Sequence, residues 1–124
     1  MISNKINNGI NGNPIIPGDK SISHRSIIIP SISNGACVVR NYLKSDDVIN
    51  TLKAFTSMGV KIEENQNEII INGNGLSSLK KPDKEIYLGN SGTSARLLTG
   101  LLASQNFDTI LTGDSSLSSR PMDR

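Results

Sequence analysis

The stretch GDKSISHR at residues 18–25 is matched by GNSGTSAR at residues 89–96. Three residue pairs are identical, and the members of each pair are 71 positions apart: Gly18 and Gly89, Ser23 and Ser94, and Arg25 and Arg96. In both stretches the end of a predicted strand leads through a glycine turn into a predicted apolar helix. A period this long indicates a duplicated supersecondary unit rather than a solenoid.

The sequence gives one unit a βαβαββ-like order over residues 18–88, and the second copy stops partway. Hydrophobic spacing and end signals predict helices over 21–34, 46–58 and 94–103, and strands over 37–41, 60–63, 68–71, 85–88 and 107–111. Ile15-Ile16 should end a short strand, and Pro30 should kink or shorten the first helix because proline removes a backbone donor. Pro121 is typical of a first helical residue, but three residues follow it, so we expect a truncated chain.

The composition limits the class of protein. Thirteen Lys and Arg against eleven Asp and Glu leave a net charge of +2, which is too small to favour nucleic acid as a partner. One Cys excludes an internal disulfide and a thiolate zinc cluster, and no apolar run approaches the roughly 20 residues of a membrane helix. The start of the chain has no apolar signal segment. We therefore expect a soluble α/β protein of a reducing compartment, with neither metal nor cofactor.

Three predicted helix starts carry groups that attract anions. Lys20, Ser21 and Arg25 belong to the first start, Asn90, Gly92 and Thr93 to the second, and Arg120 to the third. Free amides at a helix N-terminus favour anions, and Lys and Arg add a point charge and a bidentate fork. A phosphate or carboxylate is the expected ligand, although ordinary helix capping, with Ser21 as the first cap, accounts for the same residues.

Other polar residues favour structural roles. His24 is the single histidine, and a lone histidine is more often a packing or hydrogen-bonding residue than a base. Cys37 lies in a predicted strand and is expected to be a small buried apolar residue. Asp46 and Asp47 are adjacent and point apart, which favours capping of a helix after Ser45 over an acid–base pair.

Four motifs together resemble the 5-enolpyruvylshikimate-3-phosphate synthase family. They are PGDKSISHR (17–25), NYLKSDD (41–47), LGNSGTSARLLTG (88–100) and LTGDSSLSSRPM (111–122). The resemblance covers the chain from about Pro14 in the family's order and spacing. The chain departs from the family at Pro30, and it has Leu97 where many plant and enterobacterial members have Pro, which leaves open whether the herbicide glyphosate would bind.

The resemblance implies an α/β (α+β) fold of the inverse α/β barrel type, built from repeated βαβαββ units and here truncated. Family members have two such domains with the active site between them, and they are several times longer than this chain. Residues 1–17 would then be a leading strand of the opposite domain. Residues 18–124 would be the first repeat unit and part of the second unit of an incomplete domain.

The resemblance also implies an activity, the transfer of the enolpyruvyl group of phosphoenolpyruvate to the 5-hydroxyl of shikimate 3-phosphate. Lys20 and Arg120 would be catalytic; Lys20, Ser21 and Arg25 would bind shikimate 3-phosphate; and Lys20, Asn90, Gly92, Thr93 and Arg120 would bind phosphoenolpyruvate. The family's acid–base carboxylates would lie outside these 124 residues, so we expect this chain alone to be inactive. The implied enzyme is cytoplasmic, monomeric at full length, free of cofactors, and independent of nucleic acid and membranes.

Two other interpretations stay open at this point. The sister family that transfers enolpyruvate to UDP-N-acetylglucosamine shares the fold, but it commonly carries a reactive Cys before its Arg-Pro pair, and residues 114–119 have none. A non-catalytic anion-binding module is the other alternative, because half of a cleft can bind a ligand without turning it over.

Overall fold

The computed structural model describes Gly9, residues 11–66 and residues 68–122. The helices are α1 (Lys20–Ser31), α2 (Asp46–Ser57), α3 (Gly92–Leu102) and the single turn α4 (Ser115–Ser118), with a short 3₁₀ turn at Leu76–Ser78. The strands are β1 (Asn34–Arg40), β2 (Lys61–Glu64), β3 (Glu68–Asn74), β4 (Ile86–Tyr87) and β5 (Leu111–Thr112). None of the described helices is long and apolar enough to cross a membrane.

Five strands form two separate sheets within the described residues. The first sheet has the order β1-β3-β2, and both pairs are antiparallel. Ile71 of the central strand β3 lies opposite Cys37 of β1 on one side and opposite Ile62 of β2 on the other. The second sheet is the parallel pair β4-β5, in which Ile86 lies opposite Leu111, and α3 makes the crossover between the two strands.

The core lies between one face of β3 and the helices α1 and α2. Ile69 and Ile71 alternate along β3 and are fully buried, as expected of a strand with one face toward the core. Phe55 and Met58 from the end of α2 and Ile27 from α1 are also fully buried in this cluster. Side chains from α1, α2 and β3 share one cluster, so both helices pack against the apolar face of β3.

The bounds of the second helix and of the hairpin are close to those predicted. α2 begins after Ser45 and carries Asp46 and Asp47 in its first turn, but the Ser45 side chain makes no capping hydrogen bond, so the expected hydroxyl cap is wrong. The helix ends at Ser57, two residues before the left-handed Gly59. Val48, Leu52, Phe55 and Met58 form its buried face, as their spacing predicts. The hairpin pairs Glu64 with Ile69 across the predicted turn.

The first helix differs from its prediction in two respects and agrees with it in a third. Its N-cap is Asp19, whose Oδ1 accepts a hydrogen bond from the Ile22 amide at 2.7 Å, so the expected cap Ser21 is wrong. The apolar residues Ile22, Ile28, Ile29 and Ile32 predict the buried face of this helix. Ile27 and Ile28 point into the core, whereas Ile22 and Ile29 are exposed. The helix ends at Ser31, one residue after Pro30, which confirms its early end.

The sheet strands differ in burial and extent from the prediction. β1 is mostly exposed and Cys37 is only half-buried, because β1 is an edge strand with α1 near its start. Ile15 and Ile16 are 97% and 73% exposed and form no strand. The predicted strand 107–111 is reduced to Leu111–Thr112.

The C-terminal segment contains a helix turn that the sequence pattern did not predict. α4 is capped by Asp114, whose Oδ1 accepts from the Leu117 amide at 2.7 Å. Pro121 is described and is not helical, and the rest of the helix predicted there lies outside the described residues.

Both glycines of the 71-residue spacing lie close to the backbone of a later segment. Gly18 packs against the backbone of residues 41–43, where a Cβ atom would collide with the Asn41 carbonyl oxygen. Gly89 packs against residues 113–114, and its carbonyl accepts a hydrogen bond from the Asp114 amide at 2.9 Å. The partners of the two glycine turns are therefore separated by the same interval as the turns themselves.

Candidate functional site

The first turns of α1, α2 and α3 come together on one side of the core. Lys20 in the first turn of α1 forms an ion pair with Asp47 in the first turn of α2. One turn further along, His24 of α1 contacts both Thr51 of α2 and Ser94 of α3. Since N-terminal amides carry a partial positive charge, this arrangement concentrates positive potential at one place.

A buried chain of hydrogen bonds joins these helix starts. His24 Nδ1 lies 2.9 Å from Thr51 Oγ1 and 3.3 Å from Ser94 Oγ. Thr51 Oγ1 and Ser94 Oγ are 2.7 Å apart, and Ser94 Oγ is 2.7 Å from Ser91 Oγ. Ser91 also caps α3 by accepting from the Ser94 amide at 3.1 Å. All four residues are almost wholly inaccessible to solvent. These buried hydrogen bonds therefore hold the three helices together, and we call the four residues the buried polar network.

His24 is electrostatically distinct from an ordinary histidine. Burial lowers the pKa of its ring below the usual 6.5, nearby Lys20 lowers it further, and Asp47 acts in the opposite direction. Its Nε2 is buried and has no hydrogen-bond partner within the described residues. The ring is therefore neutral at neutral pH. Because it is buried, it is suited to a hydrogen bond inside the protein rather than to the role of an exposed base.

The predicted anion-binding group at the start of α1 lies at the surface beside the buried polar network. The side chain of Lys20 is 49% exposed even in its ion pair with Asp47. Ser21 and Arg25 are exposed as well, one residue and one turn further along the helix. Arg25 has no hydrogen-bond or ion-pair partner within the described part of the chain, so its guanidinium is available for an anion.

The predicted group at the start of α3 is assembled around Arg120. The Arg120 guanidinium donates a hydrogen bond to the Asn90 side chain. Its Nη1 would lie 2.9 Å from a Cβ atom at Gly92, so it lies directly over the glycine turn. Thr93 is half-buried in the same turn. The structure thus brings Arg120 to Asn90 and Gly92, which precede it by 30 and 28 positions in the sequence.

The backbone of the turn differs in one detail from the expected anion cradle. The Gly92 amide already donates to the Asn90 carbonyl at 3.1 Å. The close approach that glycine permits is therefore used here by Arg120, and the cation rather than the Gly92 amide is the principal feature of this turn.

Arg120 borders a cavity of about 380 Å³ between α3, β5 and α4. Leu88, Ala95 and Leu117 form its apolar wall, and Thr112 lines it too. Arg96, the repeat partner of Arg25, donates to the Pro121 carbonyl at 2.7 Å and so ties the Arg120 segment to α3. The two arginines of the repeat thus differ. Arg25 is exposed and available for an anion, whereas Arg96 is bonded to the backbone at Pro121.

Several residues of this site escaped the sequence analysis. Thr51 lies outside the quoted motifs and Ser91 lies inside the one at residues 88–100, but only the folded chain shows that they connect the helices. Ser94 could have been found, since it is the repeat partner of Ser23. Within the described residues no group of three or more His, Cys, Asp or Glu could hold a metal ion.

Comparison with known proteins assigns the family. A family model described as EPSP synthase (3-phosphoshikimate 1-carboxyvinyltransferase) matches residues 5–124. The chain belongs to the EPSP synthase family. This is a family of enzymes. The assignment favours the EPSP synthase resemblance over the sister family that acts on UDP-N-acetylglucosamine.

Relatives in the EPSP synthase family match nearly all of this chain. Two are named 3-phosphoshikimate 1-carboxyvinyltransferase. That of Listeria welshimeri serovar 6b is 49% identical over 124 residues, which are 100% of this chain and 28% of the relative. That of Lactococcus lactis subsp. lactis (strain IL1403) is 53% identical over 121 residues, which are 97% of this chain and 28% of the relative. The chain therefore spans about a quarter of the length of these relatives.

A solved EPSP synthase confirms the fold class. The enzyme from Acinetobacter baumannii superposes with a TM-score of 0.85 at 50% sequence identity. The match covers 90% of this chain and 26% of that chain. The mixed helix-and-strand architecture is thus that of an EPSP synthase segment.

Proposed function

We propose that this chain forms one wall of an active site that transfers the enolpyruvyl group of phosphoenolpyruvate to the 5-hydroxyl of shikimate 3-phosphate. The observation that carries the proposal is the contact between the starts of α1 and α3 through His24 and Ser94. Two cationic helix starts that lie side by side suit two anionic substrates that must react with each other.

Each helix start takes one substrate in this proposal. Lys20, Ser21 and Arg25 bind the phosphate of shikimate 3-phosphate, and Asn90, Gly92, Thr93 and Arg120 bind phosphoenolpyruvate. Lys20 contacts both substrates in this proposal; it lies in the first turn of α1 and faces Asp47 in the first turn of α2. Its ion pair with Asp47 holds the ammonium in place before a substrate arrives.

The catalytic contribution of these residues is charge stabilisation and positioning. Two phosphorylated anions at a separation of 4 Å repel each other by about 4 kcal/mol per charge pair near a protein surface. Lys20 and Arg120, as the catalytic cations, offset this repulsion while the 5-hydroxyl oxygen bonds to C2 of phosphoenolpyruvate and C3 gains a proton. The hydroxyl gives up its proton in this addition; phosphate then leaves C2 as C3 loses a proton, and this elimination restores the C2–C3 double bond.

Proton transfer requires groups that this wall does not present. Asp46 and Asp47 belong to the first turn of α2, and Asp47 is engaged by Lys20. The 124-residue polypeptide by itself is therefore expected to bind substrates without turning them over. In this proposal the acid–base carboxylates belong to a part of the enzyme outside these 124 residues.

The domain assignment is part of the same proposal. In the complete enzyme residues 1–17 would be the leading strand of the opposite domain, and residues 18–124 the first repeat unit and part of the second; residues 1–8 and Ile10 lie outside the described residues. The exposure of Ile15 and Ile16 supports this assignment, since two adjacent isoleucines at the surface suit a strand whose sheet lies elsewhere. The complete enzyme is a cytoplasmic monomer.

The test is an NMR titration of the ¹⁵N-labelled chain with shikimate 3-phosphate. We expect shifts in the first turn of α1 and a dissociation constant in the millimolar range, about 4 kcal/mol. Arg25→Lys should weaken binding although the charge is kept, because the bidentate fork is lost. Arg40→Lys is the matched control, since Arg40 is on β1 and pairs with Glu68. Equal affinities of the Arg25→Lys variant and the wild type would disprove the assignment.

A phosphate-release assay with both substrates tests the second half of the proposal. No release is expected from the 124-residue polypeptide. Release that depends on both substrates would show that this wall carries its own acid–base groups. Equal binding of inorganic phosphate and shikimate 3-phosphate would instead support a general anion-binding module.

A further inference from the structure

We propose that His24 is a positioning residue, which accepts a hydrogen bond at Nδ1 and thereby holds the start of α3 in a fixed orientation to the start of α1. The inference deepens the proposed function and rests on it for its consequence, the fixed distance between the two substrate sites. His24 itself contacts neither predicted site, since its ring is fully buried behind the first turn of α1.

The geometry shows that the connection between α1 and α3 passes through this ring. Thr51 Oγ1 lies 2.9 Å from His24 Nδ1 and 2.7 Å from Ser94 Oγ, so α2 supplies the bridge between the other two helices. Ser94 is in the first turn of α3, where it also contacts the capping residue Ser91 at 2.7 Å. A displaced ring would therefore disturb the cap of α3 as well as its orientation.

The lengths of the contacts around Thr51 favour one direction for these hydrogen bonds. If Nδ1 accepts, the hydroxyl protons of Ser91, Ser94 and Thr51 each have an acceptor, in that order, and the last proton points to His24. Only the Nε2 proton is then left without a partner among the described residues. If Nδ1 donates, the Thr51 hydroxyl must turn to the Asp47 carbonyl, which lies 3.2 Å away, instead of to the ring at 2.9 Å. The contact to the ring is the shorter one, so the arrangement in which Nδ1 accepts is favoured.

The charges around the ring are consistent with a neutral acceptor. Lys20 disfavours a protonated ring and Asp47 favours one, and burial adds to the effect of Lys20. A protonated ring would donate from Nδ1 and would force the Thr51 hydroxyl to turn to the longer contact with the Asp47 carbonyl. The neutral state is thus the one that matches the observed contacts.

The ligand-free test measures the orientation directly. Residual dipolar couplings of the labelled chain report the angle between α1 and α3, and ring ¹⁵N shifts report the tautomer of His24. We expect one fixed tautomer with an unprotonated Nδ1. Averaged ring shifts, or a protonated Nδ1, would overturn the proposal, and this measurement needs no variant.

Two pairs of variants test the role of the hydrogen bonds. His24→Leu removes the acceptor, and His24→Asn keeps one, because the amide oxygen can take the place of Nδ1. Thr51→Val removes the bridge, and Thr56→Val is its matched control in the same helix, since the Thr56 hydroxyl bonds only to the Leu52 carbonyl at 3.0 Å. The first member of each pair should change the helix angle beyond the error of the couplings, and the second should leave it unchanged. An unchanged angle in folded Thr51→Val would overturn the proposal even if His24→Leu fails to fold.

Phosphoenolpyruvate is the probe for the functional consequence. Its binding should weaken about fivefold in Thr51→Val, which corresponds to about 1 kcal/mol, the net value of one hydrogen bond. Unchanged affinity in a variant whose helix angle has changed would disprove the link between orientation and binding. If the wild type binds no substrate while the tautomer and angles are as expected, the proposed function fails and the positioning role stands.

Discussion

Replacing Gly92 by alanine should separate substrate binding from stability. A Cβ atom at this position would lie 2.9 Å from Arg120 Nη1 and 4.0 Å from Arg120 Cδ. Real Cβ contacts of 2.9 Å are essentially absent, so the guanidinium must move, and its hydrogen bond to Asn90 must change. The movement itself costs little because a flexible side chain yields, and alanine suits the first turn of a helix better than glycine.

The expected loss of affinity follows from the displaced cation. Hydrogen bonds to charged groups contribute about 1.5–3 kcal/mol, and the low end applies because Arg120 is exposed and keeps its charge. Gly92→Ala should therefore weaken phosphoenolpyruvate binding about tenfold, which is about 1.4 kcal/mol. The free energy of unfolding should stay equal or rise by at most about 1 kcal/mol.

The control is the same substitution at the other glycine of α3. Nothing lies within 4 Å of a Cβ atom at Gly100, so Gly100→Ala should raise the free energy of unfolding by about 1 kcal/mol without affecting binding. Urea unfolding followed by circular dichroism measures the first quantity, and an NMR titration of the Gly92 and Thr93 amides measures the second. Equal affinity of both variants, or a clear loss of stability in Gly92→Ala, would refute the reasoning.

Three further predictions concern stability. Burial lowers the pKa of His24, so the unfolded state binds a proton more readily than the folded state. The free energy of unfolding should therefore fall as the pH drops below 6.5. Urea titrations at several pH values should show this decline in the wild type and a flatter profile in His24→Asn. Burial also raises the pKa of Tyr42 from 10.0 to about 12, so stability should be lost as the pH rises through this interval, and alkaline unfolding curves of Tyr42→Phe should lack that component. Gly18→Ala places a Cβ atom against the Asn41 carbonyl and should cost about 1–3 kcal/mol in thermal unfolding, whereas Gly12→Ala, which meets nothing within 4 Å, should be neutral.

Local sequence signals predicted the elements that they control directly. α2 has a polar start, acids in its first turn, an apolar stripe and a glycine stop, and its observed bounds are close to those predicted. The hairpin was predictable because two apolar runs flank a short polar turn. The motifs of the family also lie in contiguous stretches, so membership was readable from the chain, and the family model confirms it.

Burial was less predictable from local patterns. α1 contains four isoleucines within residues 22–29, and the sequence offers no reason to prefer Ile27 over Ile22 for the core. The packing of α1 against β3 decides between them, because only one side of the helix faces the sheet. β1 shows the same limit, since its apolar sequence predicts a buried strand and its position at the edge of the sheet leaves it exposed.

The sequence by itself determined the residues available for anions, namely Lys20, Ser21 and Arg25 in one motif and the turn around Gly92 in another. Only the tertiary structure decided that Arg120 lies over Gly92 and that the starts of α1 and α3 are joined through His24. The physical reason is the range of the forces involved. Caps and turns depend on residues three or four positions apart, whereas the contact between His24 and Ser94 spans 70 positions and exists only because the core brings the helices together.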